Sequence, residues 1–379
     1  MKVMLSVSLF LFTLSSPLQA APKPTDPESP QFKKAMELVR QLHDDRFAVR
    51  ESASKKLIAL GREAKEALLI GKEDLDADVA DRCQRILPQA IAADMKARVD
   101  AFLADKEGKQ EHDLPALGMY QKLVGKEKEA RDLFATMLQT NSTLFEQYEL
   151  DPTRFGKKYS VRCDEMIQFV FGRGGNRGPD FGDLATLFFF GTDPEFAKVT
   201  ASNQYIGNLL YQPSFQNNIK NVAFRKLFFG WMEHRTDQNT VSQGLGIIQQ
   251  HNLKEGLEFA SKAMKDKGQQ MYIRAQAINL VGRMGGKERI PDMEIMFNDD
   301  TQIQQFNLNN KVGMVQIRDV ALAMAIHLSG QKPKEYGFEF LPNEQSIQSY
   351  YYLGFEDDEK RAATLKKYKG WVEEQKKKK

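Results

Sequence analysis

Between Phe171 and Gly182 the chain reads FGRGGNRGPDFG, with glycines at 172, 174, 175 and 178 and arginines at 173 and 177. Backbone amides opened by glycine, with two guanidinium groups beside them, are the makings of an anion nest. Arg173 and Arg177 are therefore the candidate binding residues. More specific phosphate chemistry is excluded by spacing. A dinucleotide fingerprint needs G-x-G-x-x-G between a strand and a helix, and a P-loop ends in lysine followed by serine or threonine. Neither pattern is present, and the preceding CDEMIQFVF carries Met166, Ile167 and Val170 as a helical stripe. DLATLFFF follows, with Asp183 placed to cap a second helix. The stretch is expected to connect two helices, with anion binding as its rival use.

Other residues that could do chemistry lack their companions. Ser52 and Lys55 fit S-x-x-K, but the S-D-N and K-T-G partners of that serine chemistry are missing. The acidic run DLDADVAD, from Asp74, starts like a calcium loop, yet Val79 stands where glycine is needed and Arg85 where glutamate is needed. A solvated, helix-starting turn is expected there. His43, His112, His234, His251 and His327 show no H-x-x-x-H or H-E-x-x-H spacing, and His327 follows Asp319 by eight residues in an apolar stretch. Cys83 and Cys163 both fall at small, apolar positions of helical patterns, which suits buried thiols better than a bridge. No catalytic residue, cofactor-binding residue or metal ligand emerges, and no cofactor is expected.

The elements that must hold these residues begin with an address. Met1 and Lys2 precede the apolar run VMLSVSLFLFTL and then SSPLQA, the order of a secretory signal peptide cut after Ala20. The run is shorter than the roughly 20 residues a membrane span needs. Residues 21–30 form a proline-rich spacer, and the folded part is expected from about Gln31. No later segment is apolar enough to span a membrane, so the mature chain is expected to be secreted or periplasmic. Lysine and arginine number 54 against 51 acidic residues, a balance of +3 that offers no basic footprint for nucleic acid. Lys376 to Lys379 read as a solvated tail.

A repeat then appears. In VRESASKKLIALG, Val49, Ala53, Leu57 and Leu60 share one helical face, and Gly61 follows as a left-handed stop. The frame returns with Ile273, Ala277, Val281 and Met284, and with Ile317, Ala321, Ala325 and Leu328. Arg50, Arg274 and Arg318 each follow the first residue of their copy. Looser copies start at Ile219, with Ala223 and Leu227, and at Val79, with Cys83 and Leu87. The small residue four places in lets a neighbouring helix approach closely. Second helices are expected at 62–70 and 287–297.

With Asp44 ahead of Val49 and Arg50, the stretch DDRFAVRESASKKLIALGREAKEALLIG resembles a HEAT repeat. That resemblance implies a polar ladder in which Asp44 or Asp45 meets Arg50. The wider chain is similar to a group of secreted bacterial HEAT-like proteins of unknown activity, through LPALGMYQKLVGKEKEARDLFATM, FGDLATLFFFGTDPEF and VQIRDVALAMAIHLSGQKPKEYGF. The fold expected is all-α: an α-α superhelix, or HEAT-like solenoid, with an irregular helical middle. Helix pairs are expected over 31–90, the irregular segment over 91–200, further repeats over 201–330, and a loop with a closing helix over 331–379. In the closing helix Ala363, Leu365, Tyr368 and Trp371 should face the array. No alternation bounded by hairpin turns was apparent, so no strands are expected. Stacked repeats present long surfaces, and the function expected is binding of a protein partner. An enzyme with a site assembled in the groove is the alternative, and a HEAT-like nucleic-acid binder a weaker one that the charge balance disfavours.

Overall fold

The computed structural model describes residues 29–171, 178–200, 206–308 and 311–378. The expected signal sequence (1–20), the expected spacer up to residue 28, and Arg173 and Arg177 lie outside these residues. Those described are mostly helical, with eighteen α-helices and a single two-stranded sheet among them. The chain divides into two compact units. One holds the residues up to Ala97 together with Phe145–Thr153, and the other holds Arg98–Leu144 and the chain from Arg154 onward.

The first unit starts where local chemistry dictates. Ser29 caps helix Pro30–Arg40 by accepting from the Phe32 amide at 3.1 Å, and Pro30 takes the first helical position, where no amide proton is needed. Helices Phe47–Leu60 and Lys65–Gly71 and the start of Ala77–Ala104 follow. Their inner faces bury Leu38, Val39, Leu42, Ala53, Leu57, Leu68, Val79, Cys83 and Ile86 in one core. Ala53 and Cys83 are fully buried, as small residues at a close helix approach should be, and Cys83 packs so near Gly71 that a Cβ there would sit 2.5 Å from its Sγ. Gly61 ends its helix at φ +59°, with Asp94 leaving no room for a side chain. Phe145–Thr153 is tied in through Lys65 to Glu146 (3.8 Å) and Arg62 to Glu149 (3.6 Å).

The expected aspartate–arginine ladder takes a different form. The Asp44 carboxylate is held by Arg46, at 3.0 Å from both Nε and Nη2. Arg50 instead donates to the backbone carbonyls of Asp44 (2.8 Å) and Asp45 (3.0 Å). An arginine reaches backbone oxygens here because the chain end before a helix leaves carbonyls without helical partners. An ionic tie to helix Ala77–Ala104 is made by Arg82, which donates to Glu51 at 3.1 Å.

That arrangement recurs in the second unit, at positions the apolar frame does not always mark. Arg131, Arg225 and Arg274 are each the fourth residue of their helices, Lys128–Thr140, Val222–Met232 and Met271–Met284, as Arg50 is of Phe47–Leu60. Arg131 donates to the carbonyls of Phe102 and Asp105, Arg225 to Ile219 and Lys220 (3.3 and 2.8 Å), and Arg274 to Met264 (3.0 Å). Arg225 and Arg274 thus clip their helix starts to the end of the segment before them, and Arg131 clips its own to the end of helix Ala77–Ala104, across the intervening helix Leu117–Leu123. The copy expected from Ile219 is accordingly displaced: Ile219 precedes the helix Val222–Met232, and the arginine at its fourth position is Arg225. Arg318 also departs, being the second residue of helix Ile317–Leu328.

Charged pairs spaced by one repeat run along the same stretch. Arg225 meets Glu255, Lys262 meets Glu233, Arg289 meets Glu258 and Arg274 meets Asp299, separations of 30, 29, 31 and 25 residues. The core beneath is aromatic: Phe188 lies among Phe215, Phe224, Phe228 and Trp231, with ring centroids 4.7–6.0 Å apart. Fully burying one such ring is worth roughly 1.5–3 kcal/mol. In the middle segment Ala130, Leu133, Phe134, Met137 and Leu138 are buried along one helix face, matching the periodicity. Helix Phe181–Phe190 starts earlier than expected, with Asp180 at its cap, and Asp183 instead accepts from Arg162 at 2.7 Å.

Two expectations near the C-terminus are corrected. Strands do form: Gln302–Leu308 pairs antiparallel with Lys311–Gln316, with a register irregularity between Gln302 and Gln304. The alternation was hidden because glutamines share the strand with Ile303, Phe306 and Leu308. Phe306 lies over Gly313, its cross-strand partner, and against Phe340 with ring centroids 4.6 Å apart. The closing helix, Asp358–Lys377, exists, but its buried face is Arg361, Thr364 and Tyr368, while Ala363 is exposed. Lys376 and Lys377 belong to its last turn, where cations complement the helix dipole.

Candidate functional site

The residues singled out from the sequence are dispersed. Arg173 and Arg177, the candidate anion-binding residues, lie outside the described residues. Ser52 and Lys55 are both exposed on helix Phe47–Leu60. The acidic run is a helix-starting turn: Asp74 and Asp76 each accept an amide two residues on, at 2.9 Å. His43 approaches Asp74 at 3.1 Å, His112 approaches Asp105 at 3.0 Å, and His251 approaches Gln216 at 2.9 Å. Among the described residues no three His, Cys, Asp or Glu side chains are grouped to hold a metal. Cys83 and Cys163 are free and buried, and burial pushes the thiols up to about 11 and about 12 respectively. Such thiols are inert.

Two features of the second unit have the composition of sites. The first is a tyrosine patch. Tyr351 and Tyr352 are 50% and 36% exposed, and Tyr272 is 43% exposed on helix Met271–Met284. Tyr350 lies against Tyr351 with ring centroids 4.6 Å apart, and burial, then the neighbouring Tyr351 and Tyr272, raises its phenol well above the usual range. The segment is fixed from both sides. Asn279, buried in the same helix as Tyr272, donates to the Ile347 carbonyl at 2.8 Å, and Gln304 of the hairpin donates to the Tyr351 carbonyl at 3.2 Å. Large rings with polar tips, held by backbone hydrogen bonds, lose little entropy on contact and suit protein recognition. The run SYYYL was the signal in the sequence, but a motif search for chemistry passes over it. Met271, next to Tyr272, is also exposed, as are Phe47 and Val222 at the same first helical position.

The second feature is a charged cleft. It has a volume of about 270 Å³ and is lined by the apolar Phe297, Leu322, Ala362 and Leu365 together with the charged Arg318, Asp319, Asp358 and Arg361. Asp319 is fully buried at the third position of helix Ile317–Leu328, where it accepts from the Gln316 amide at 3.0 Å. Arg361 grips both its oxygens, at 2.6 and 3.1 Å, from the closing helix. Burial pushes Asp319 up to about 6, against the pull of Arg361. The capping box at Gln316 and Asp319 explains the aspartate's position, while its partner lies 42 residues away and has no local sequence signal. His327, which the sequence placed in the same helix, is exposed.

No family model, curated protein or solved structure matches this chain.

Proposed function

We propose that the protein is an exported, HEAT-like helical-repeat scaffold that binds a protein partner through its solenoid surface, without catalysis. The single observation that carries this reading is the tyrosine patch of Tyr272, on the arginine-marked helix Met271–Met284, and Tyr350, Tyr351 and Tyr352, on the segment hydrogen-bonded to that helix through Asn279. Tyrosine is enriched at the energetic centres of protein interfaces. The repeated arginine at the fourth helical position, and the ion pairs one repeat apart, support a stacked array. In such an array each unit contacts its neighbours and leaves a long face free. The order of charged, apolar and small residues ahead of Ala21 supports export with a cut after Ala20.

The test uses the mature chain as bait in an envelope fraction, beside the variant Tyr351→Ser/Tyr352→Ser. Both positions are exposed, so the variant should keep its circular dichroism and melting temperature. The expected result is a protein retained by the unmodified chain and lost by the variant. Identical retention by the two would reject the patch as the binding surface.

A further inference from the structure

The charged cleft carries an inference independent of partner binding. Two guanidinium groups converge on a single atom there: Arg318 Nη2, at 3.0 Å, and Arg361 Nη1 both donate to Asp358 Oδ1. The three side chains differ in how firmly they are held. Arg361 is 8% exposed and pinned by two hydrogen bonds to the fully buried Asp319. Arg318 is 27% exposed and held in place by Gln316 Oε1 at 2.6 Å. The Asp358 side chain, 82% exposed, is mostly in water. Exposed ion pairs contribute little, because water and salt compensate both charges. The oxygen at the centre of this arrangement is therefore the replaceable part, and the two arginines are the fixed part.

The charges also define the ligand. Arg361 is balanced by Asp319 and Arg318 by Asp358, so withdrawal of Asp358 leaves one positive charge and a cradle for one anionic oxygen. Beside the cradle stand Phe297, Leu322, Ala362 and Leu365, an apolar wall with no charge to match. A volume of about 270 Å³ is many times the roughly 10–15 Å³ that a single water needs, so the cleft has room for a small organic group. Guanidinium donors suit carboxylate and phosphate alike; the single positive charge left here matches a monoanionic carboxylate better than a phosphate carrying about two charges.

We propose that this cleft binds a monocarboxylate bearing an apolar group, with Asp358 acting as a built-in competitor that the ligand displaces. The same chemistry is found in a free carboxylic acid and in the C-terminal carboxylate of a peptide ending in an apolar residue.

Calorimetric titration of the mature chain tests it, with 3-phenylpropanoate and N-acetyl-Ala-Ala-Leu as the two carboxylate probes and their amides as uncharged controls. At least one carboxylate should bind and its amide should not; the tighter of the two identifies the source. Asp358→Asn, an exposed change that leaves the fold intact, should tighten binding about twofold to fivefold, the range expected for removing a weak exposed ion pair. Arg318→Gln should weaken it about tenfold or more, as loss of a charged hydrogen bond does. Amides that bind as well as acids, unchanged affinity in Arg318→Gln, or no binding by either acid to both the unmodified chain and Asp358→Asn would each overturn the proposal.

Discussion

Arg50 and Arg361 do opposite jobs with the same side chain. Arg50 reaches back five and six residues to backbone carbonyls, at the edge of the first unit's repeat. Arg361 reaches across 42 residues to a fully buried carboxylate in the second unit. The first is repeated at Arg131, Arg225 and Arg274, each tying a helix start to backbone carbonyls, within ten residues at Arg225 and Arg274 and 26 and 29 residues back at Arg131. The second is a single long-range tie, and removing one partner leaves the other charged in an apolar surround. The contrast teaches that helix starts can be held by several redundant clips to backbone carbonyls, while one contact between distant helices depends on a single costly pair.

The largest effect expected follows from that dependence. Arg361→Met should destabilise the chain by about 3–5 kcal/mol in urea unfolding, because Asp319 loses its compensating charge. Asp319→Asn/Arg361→Met should be less destabilised than Arg361→Met alone. A single variant within 1 kcal/mol of the unmodified chain would erase the distinction between the two arginines. Next are the fully buried Ala277 and Ala321, which face tight interfaces. Leucine at either should cost about 1–3 kcal/mol through overpacking; unchanged melts for both would disprove the close approach. The local clips should rank below this and by burial. Arg274→Lys, at a position 3% exposed, should cost about 1.5 kcal/mol, and the more exposed Arg50→Lys less than about 1. Equal losses at the two would mean that the clip does not depend on burial.

A pH signature sharpens the local side of the comparison. Asp105, whose carbonyl receives Arg131, has its carboxylate held down to about 2 by the Gln110 amide and then by His112. A depressed carboxylate stabilises the fold above its ordinary value of 3.8 and loses that contribution as pH falls toward 2. The deficit of Asp105→Asn should therefore be full at neutral pH and vanish across that window; a constant deficit would contradict the assignment. The smallest effect belongs to the opening loop. Arg173→Ser/Arg177→Ser should change stability by less than about 0.5 kcal/mol. A phosphate-dependent rise in melting temperature that the double variant abolishes would make the loop an anion site after all.

How much of this could be read from the residues follows the same division of local from distant. Helix faces such as Ala130 to Leu138, the stop at Gly61, and the buried small residues Ala53, Cys83, Ala277 and Ala321 were legible, since each is set within a few turns of chain. The arginine clip was half legible: Arg50 and Arg274 stood out, but apolar periodicity drew the frame at Ile219 away from Arg225. The hairpin was missed because glutamines blurred its alternation, and Asp180 displaced Asp183 as a cap by three residues. The pairing of Asp319 with Arg361 and the meeting of Tyr272 with Tyr350 were illegible, because nothing local connects residues so far apart in sequence.

The central claim is that the tyrosine patch is where a partner protein binds. Site-specific photo-crosslinking tests it most directly, with p-benzoylphenylalanine placed at Tyr351 in one version of the chain and at the exposed His327 in another. Both are expressed in the native host with the leader intact. A discrete, light-dependent adduct from position 351 and none from position 327 is the predicted result. Adducts of equal yield from both positions, or none from position 351 in a folded and exported chain, would contradict it.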